Sequence, residues 1–390
     1  MPLRRIIGPI RELSESGKLS GLLLLLATVV SLLISNSGWS GAYLHFWEMP
    51  LGWPPLEKTA AHWVDDGLMV VFFFSVGLEI KREVLYGELT DFRQALLPML
   101  AAVGGVVVPA GIYLAFNAGT PASHGWAVPT ATDIAFSLGI LSLLGEKIPP
   151  GLRVFLTALA IIDDLIAVLI IALFYTAELH LPYLLAAGGV FAGLALLNRL
   201  KVNMLPLYFL LGLALWFCVL KSGIHATIAG VLLALTIPTD AIEKLEAALH
   251  KPISYFILPV FALANTAIVL SAESVGELLS PLGLGIGLAL LLGKPLGIFG
   301  ATWLTVKAGI SSLPERVTWY KLLGLGFTAG IGFTMAIFVA NLSFTDPSRI
   351  ALAKLAVILG SFLAAVTGLV VLHLADKADD SKVAGNGVIE

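Results

Sequence analysis

Twelve apolar blocks run through the 390 residues, separated by Gly, Pro and charged side chains. They lie at 18–36, 59–80, 94–116, 122–144, 150–176, 182–198, 204–220, 222–237, 252–271, 282–307, 321–342 and 349–374. Most have the length that crosses a bilayer as one helix, roughly 20 residues. The blocks 182–198 and 222–237 are short enough to need local adjustment of the bilayer. Soluble domains carry about 25% charged residues, whereas this chain carries 13% and is 58% hydrophobic. The expected fold class is therefore an all-α polytopic membrane protein of about 12 transmembrane helices. Residues 1–376 read as a single integral membrane domain and 377–390 as a disordered cytoplasmic tail. The first block follows a long polar lead with no small-residue cleavage pattern, so it reads as a retained helix. The one cysteine, Cys218, excludes an internal disulfide framework and reads as a packing residue.

Basic residues fix the expected orientation. One set of alternate segments holds 18 Lys and Arg, among them Arg4, Arg5, Lys81, Arg82, Arg199 and Lys321. The opposite set holds three, Lys58, Lys221 and Arg349. Positive residues stay on the cytoplasmic side, which places both termini there and supports an even number of spans.

Few charges remain inside the blocks: Asp65, Asp66, Glu79, Asp133, Asp163, Asp164, Lys294 and Lys354. Each acid at membrane depth costs on the order of 2.5–3.5 kcal/mol on insertion scales. Asp163 and Asp164 are adjacent in the middle of the fifth block, and their mutual repulsion favours protonation of one of them. Asp133 lies at the centre of the fourth block and Lys294 at the centre of the tenth, so three helices each bring a charge to mid-depth. Their convergence on one site is the economical explanation.

Two blocks look broken. The fourth contains Pro129, Thr130 and Thr132 around Asp133, and the eleventh contains Gly324, Gly326, Thr328, Gly330, Gly332 and Thr334. Such residues free backbone groups that only a polar cavity tolerates. Spans 3–5 and 10–12 form triplets of opposite orientation. Interrupted helices at matching places of an inverted-topology repeat point to a transporter's binding site.

Seven stretches carry a family resemblance: VGLEIKRE (76–83), ATDIAFSLG (131–139), ALAIIDDL (158–165), LKSGIHATIAG (220–230), LPVFALANT (258–266), GKPLGI (293–298) and GIGFTMAIF (330–338). Together they make the chain similar to the NhaA-type sodium/proton antiporters, a family for which inverted repeats are described. The resemblance implies that Asp163 and Asp164 form the cation and proton site, a transient metal site for Na+. It implies that Asp133 and Thr132 sit where the broken spans cross, that Lys294 neutralises half-helix C-termini and pairs with Asp163, and that Glu79 lies in a cytoplasmic funnel. It further implies a homodimer through an extracytoplasmic hairpin, here part of 37–57. The chain departs from the family at Ala247, where Glu246-Ala247-Ala248-Leu249-His250 replaces a Glu-His-x-x-His run proposed to sense pH.

The residues themselves leave alternatives. Neighbours on a helix point about 100° apart, so a plausible division turns Asp164 toward the ion and Asp163 toward Lys294. A structural salt bridge without transport is the competing reading of that trio. Asp133 either binds the ion or offsets helix dipoles. Asp66 and Glu79 either line entrances that concentrate cations or sit at solvated helix ends, and the same holds for Asp65. His225 either senses pH or hydrogen-bonds at a helix start. Glu246 and His250, at i and i+4, form either a protonation switch or a solvated loop pair. Lys354 is expected to snorkel outward, and Trp39, Tyr43, Trp47 and Trp53 to form an interfacial belt.

The expected function is electrogenic, pH-regulated exchange of Na+ or Li+ for H+ by alternating access in the bacterial inner membrane. No resident cofactor and no nucleic acid enter this reading, and the protein is not read as an enzyme. The first alternative is a sodium-coupled symporter of an organic anion, which would need more cationic residues at the crossing. The second is an intramembrane aspartyl protease, which needs two acids on separate helices and a GxGD-like motif.

Overall fold

The computed structural model describes residues 18–386 except 53–55, 88, 91 and 177–178. The chain is helical nearly throughout, as its apolar blocks require. Helix α1 (Lys18–Ser35) turns by 115° into the short α2 (Ser40–Glu48). A two-stranded antiparallel ribbon follows, in which β1 (Pro50–Leu51) pairs with β2 (Lys58–Thr59). This ribbon is the exception to the all-α expectation. Thr59 caps α3 (Ala60–Trp63) by accepting from the His62 N–H. A π-turn, Val64–Leu68, carries Asp65 and Asp66 and leads into α4 (Met69–Tyr86).

Helix α5 (Phe92–Asn117) runs through Pro98 and Pro109. The next span is divided, as expected: a 3-10 segment Ser123–Thr130, extended backbone at 131–133, then α6 (Ile134–Leu143). α7 (Pro150–Phe174) is continuous. α8 (Leu181–Arg199) and α9 (Leu205–Ser222) both place Pro in the first turn, where a missing N–H leaves nothing unpaired. Gly223 ends α9 in the left-handed region, φ +90°. α10 (Thr227–Thr236) follows, and α11 (Ile242–Pro252) joins α12 (Leu258–Asn265) through a π-turn at Ile253–Ile257.

The last part contains α13 (Ala272–Gly276), α14 (Pro281–Leu288), a π-turn at Ala289–Gly293 and α15 (Lys294–Lys307). α16 (Trp319–Ala329) and α17 (Phe333–Ser343) form the second divided span, bent by 46°. α18 (Pro347–Asn386) closes the chain. It runs past residue 376 as far as Asn386. Ala378, Lys377 and Ala384 are good helix formers, and no Pro interrupts them.

Among the described residues, eight helices are long and apolar enough to cross a membrane, ten if each bent pair counts as one span. The protein is thus an all-α, multi-pass membrane protein. The expected block 59–80 corresponds to the charged, π-interrupted run from α3 to α4, and block 222–237 to α10, a shorter apolar helix. Length and apolarity alone therefore do not establish all twelve spans.

The chain divides into two compact units, each assembled from separated stretches. One comprises Met1–Leu23, Asp91–Asp163 and Ser271–Glu390; the other comprises Leu24–Thr90 and Asp164–Leu270. In the first, α5 and α15 approach so closely that a Cβ on Gly104 or Gly297 would strike the other's carbonyl oxygen. In the second, α9 buries Tyr208 and Leu215 against Phe74 and Leu78 of α4 and Leu233 and Ala234 of α10.

Candidate ion-binding site

The two interrupted spans meet at their breaks. The Asp133 N–H donates to Ile331 O at 2.7 Å. The Thr132 hydroxyl donates to Ala329 O and that of Ser137 to Thr328 O, both at 2.9 Å. The terminal carbonyls of α16 thus find partners on the other broken span. Asp133 serves helix N-termini instead. Its Oδ1 accepts from the Phe136 N–H (3.0 Å) in α6, and its Oδ2 from the Thr334 N–H (3.1 Å) and hydroxyl (2.5 Å) in α17. A further orphan donor of α17, the Phe333 N–H, reaches Ser361 Oγ of α18 at 3.1 Å. In hydrocarbon each unsatisfied backbone group costs several kcal/mol, so these bonds make the breaks tolerable. One carboxylate faces the positive ends of two helices.

Asp163 and Asp164 lie in the middle of α7 and are 1% and 3% exposed. Lys294 is fully buried, and its Nζ donates to Asp163 Oδ2 at 2.8 Å. Local structure puts it there. The π-turn before it lets the Lys294 N–H reach Ala289 O, five residues back, and Pro295 has no N–H to satisfy. Gly105 of α5 packs beside it: a Cβ there would stand 3.0 Å from Ile298 Cγ1, one turn beyond Lys294. The second oxygen, Asp163 Oδ1, is buried with no hydrogen-bond partner among the described residues. Thr132 turns its hydroxyl and N–H toward Asp163, while the hydroxyl donates to Ala329 O. A buried carboxylate oxygen with acceptor capacity is a hard ligand, suited to a small alkali cation or a proton.

The remaining residues singled out in the sequence form two other groups, both in the second unit. Asp66, 8% exposed, pairs with Lys58 and accepts a contact from His225 Nε2 at 3.3 Å. Its backbone carbonyl takes Trp216 Nε1–H at 2.8 Å, and Asp65 Oδ1 accepts from the Asn265 amide at 2.9 Å. Asp65 is thus a bonded group, not a solvated helix end. At the far end of α4, Glu79 lines a cavity of about 430 Å3 with Ser75, Arg82, Glu243, Glu246, Ala247 and His250. Arg82 stands 3.4 Å from Glu246. Glu246 and His250 lie on helix α11, not in a loop.

Of the aromatic set, Trp39 is exposed, Tyr43 donates to Leu263 O at 2.9 Å, and Trp47 packs edge-on against Tyr43 and Phe46. Trp53 falls outside the described residues. Lys354 is half-buried. Sequence reasoning missed Thr334, Ser361, Ser137 and Lys58. Thr334 lies in a quoted motif, but its partner stands 201 residues away, and only the broken-span pattern hinted that hydroxyls were needed.

The sequence profile described as Na+/H+ antiporter 1 matches residues 11–372. The chain is 51% identical to a protein named Na(+)/H(+) antiporter NhaA 2 from Flavobacterium johnsoniae, over 93% of this chain and 92% of the relative. It is 45% identical to Na(+)/H(+) antiporter NhaA of Oleidesulfovibrio alaskensis, over 96% and 95% of the two chains. With the protein of that name from Bordetella parapertussis the identity is 46%, over 94% and 96%.

Proposed function

The chain belongs to the Na+/H+ antiporter 1 family, and from that premise we propose that Asp163 and Asp164 are the carboxylates on which its two ions alternate. The protein is a transporter that exchanges Na+ for H+, not an enzyme. The observation that carries the proposal is the buried Asp163–Lys294 pair, with Asp163 Oδ1 unpartnered and Asp164 next along the helix.

A carboxylate oxygen holds either a proton or a sodium ion. Binding one displaces the other, which is exchange. Lys294 supplies a resident positive charge, so Na+ arriving at Asp163 competes with the ammonium for Oδ2. When it departs, the ammonium restores the pair and keeps Asp163 from standing charged and alone in a dry interior. Asp164 turns to the ion and releases its proton on binding. Thr132 steadies the break beside them. Asp133, with both oxygens engaged by helix N-termini, holds the crossing together and does not ligate the ion. The breaks are where the divided spans bend as the site opens to alternate faces.

If more than one proton moves per Na+, each cycle carries net charge, worth about 2.3 kcal/mol per 100 mV. The membrane potential then drives sodium out. Glu79, Glu246 and His250 share one cavity and form the pH-responsive approach from the cytoplasm. Asp66, at the opposite end of the α3–α4 run from Glu79, and its contact His225 form the outer approach. The protein lies in the bacterial inner membrane with both termini in the cytoplasm. It accepts Li+ as well as Na+ and pairs as a homodimer through 37–57.

The test is Na+-dependent proton flux in everted membrane vesicles. Asp164→Asn abolishes it, and Asp163→Asn does the same. Full exchange by Asp164→Asn refutes the assignment. Each alkali cation added to proteoliposomes across a pH series gives the selectivity.

A further inference from the structure

We propose that Lys58 is a tethered cation that competes with incoming Na+ for the Asp66 carboxylate and so sets the affinity for Na+ on the ribbon side of the membrane. The inference rests on the reading of Asp66 as an acid on the ion's outer approach.

Both Asp66 oxygens are taken by nitrogen: Lys58 Nζ on Oδ2, His225 Nε2 on Oδ1 at 3.3 Å. A sodium ion approaching this carboxylate therefore meets one of them as a competitor. His225 is the fixed partner, because its Nδ1 is held by Thr227 Oγ1 at 2.9 Å. The acid is fixed too. Its backbone carbonyl is held by Trp216, and its neighbour Asp65 by Asn265. Lys58 is the member that can leave. It comes from β2, outside the helices, and its side chain is 29% exposed.

There is also a place for it to go. Lys58 lines a cavity of about 360 Å3 together with Glu57, Thr59, His62 and Pro50. An ammonium that swings off Asp66 enters that space, with the Glu57 carboxylate beside it. Exchanging one monovalent cation for another at Asp66 leaves the local charge unchanged, so the carboxylate is never bare. Lys294 is fully buried, whereas the Lys58 side chain already reaches the surface.

The decisive measurement is KM for Na+ in right-side-out and everted vesicles. With Lys58→Gln, KM on the ribbon face falls about two- to five-fold, the range set by a partly exposed ion pair. KM on the opposite face does not move, and Lys58→Arg stays close to the parent protein. In an Asp66→Asn background, Lys58→Gln has no further effect. An unchanged KM overturns the proposal. So does a fall on both faces, or one that persists in the Asp66→Asn background, since either reports general surface charge.

Should Lys58→Gln fail to reach the membrane, the unsubstituted protein decides. A membrane-impermeant amine acylating reagent applied from the ribbon side labels Lys58 faster in NaCl than in choline chloride of equal ionic strength, read by peptide mass spectrometry. Equal labelling overturns the proposal. Asp164→Asn protein, which does not exchange, retains the Na+-dependent labelling, so this result stands or falls apart from the assignment of Asp163 and Asp164.

Discussion

Lys294→Met isolates the physics of the buried pair. The ammonium and Asp163 have 0% and 1% side-chain exposure and are joined by one 2.8 Å bond, so removing the lysine leaves a buried carboxylate without its counter-charge. Breaking such a pair from one side costs about 3–5 kcal/mol. That is about two to four powers of ten in the unfolding equilibrium, at roughly 1.36 kcal/mol per decade. Replacing both partners removes the uncompensated charge, so Asp163→Asn combined with Lys294→Met should recover most of the loss in stability while remaining inactive in exchange. The assay is equilibrium unfolding of purified protein in mixed micelles with a rising fraction of SDS. A loss below about 1 kcal/mol for Lys294→Met, within the range of an exposed pair, refutes the reasoning. Simple additivity of the two single losses does so as well, because residues in contact are expected to couple.

Two further substitutions probe the scaffold around the site. Ser361→Ala strands the Phe333 N–H at the second break and should destabilise by about 1–3 kcal/mol; an unchanged unfolding curve would show that this N–H has another acceptor. Gly297→Val drives a side chain into the carbonyl of Gly104 and should cost about 1–3 kcal/mol or more, whereas Gly188→Ala meets nothing within 4 Å and should be neutral in the same assay.

The features legible in the sequence were those set by local physics. Asp163, Asp164 and Lys294 stood out because an ionised group in an apolar run is costly, and all three are buried. Pro129 and the Gly330-Gly332 region marked the breaks because they remove helix-stabilising groups. What escaped was the pairing of partners far apart in the chain. Nothing local tells that Thr334 will bond Asp133 or that Ser361 will meet Phe333, since hydroxyls are common in apolar helices and their partners are chosen by packing. Lys58 was hidden for a different reason. It sat in a loop, where a lysine is ordinarily a solvated charge, and only the ribbon carries it back to Asp66. The π-turn before Lys294 has no sequence signature of its own.

The bonds that complete the breaks have a consequence for how the protein is made. Thr132 and Asp133 reach partners 197 and 201 residues further along. At about 5–20 residues per second, the ribosome needs on the order of 10–40 s to deliver them. During that interval Thr132 and Asp133 lack the partners that complete their break. A nascent chain halted before Trp319 should therefore hold Ser123–Leu143 only loosely in the bilayer, and this is where quality-control proteases would find an incomplete copy.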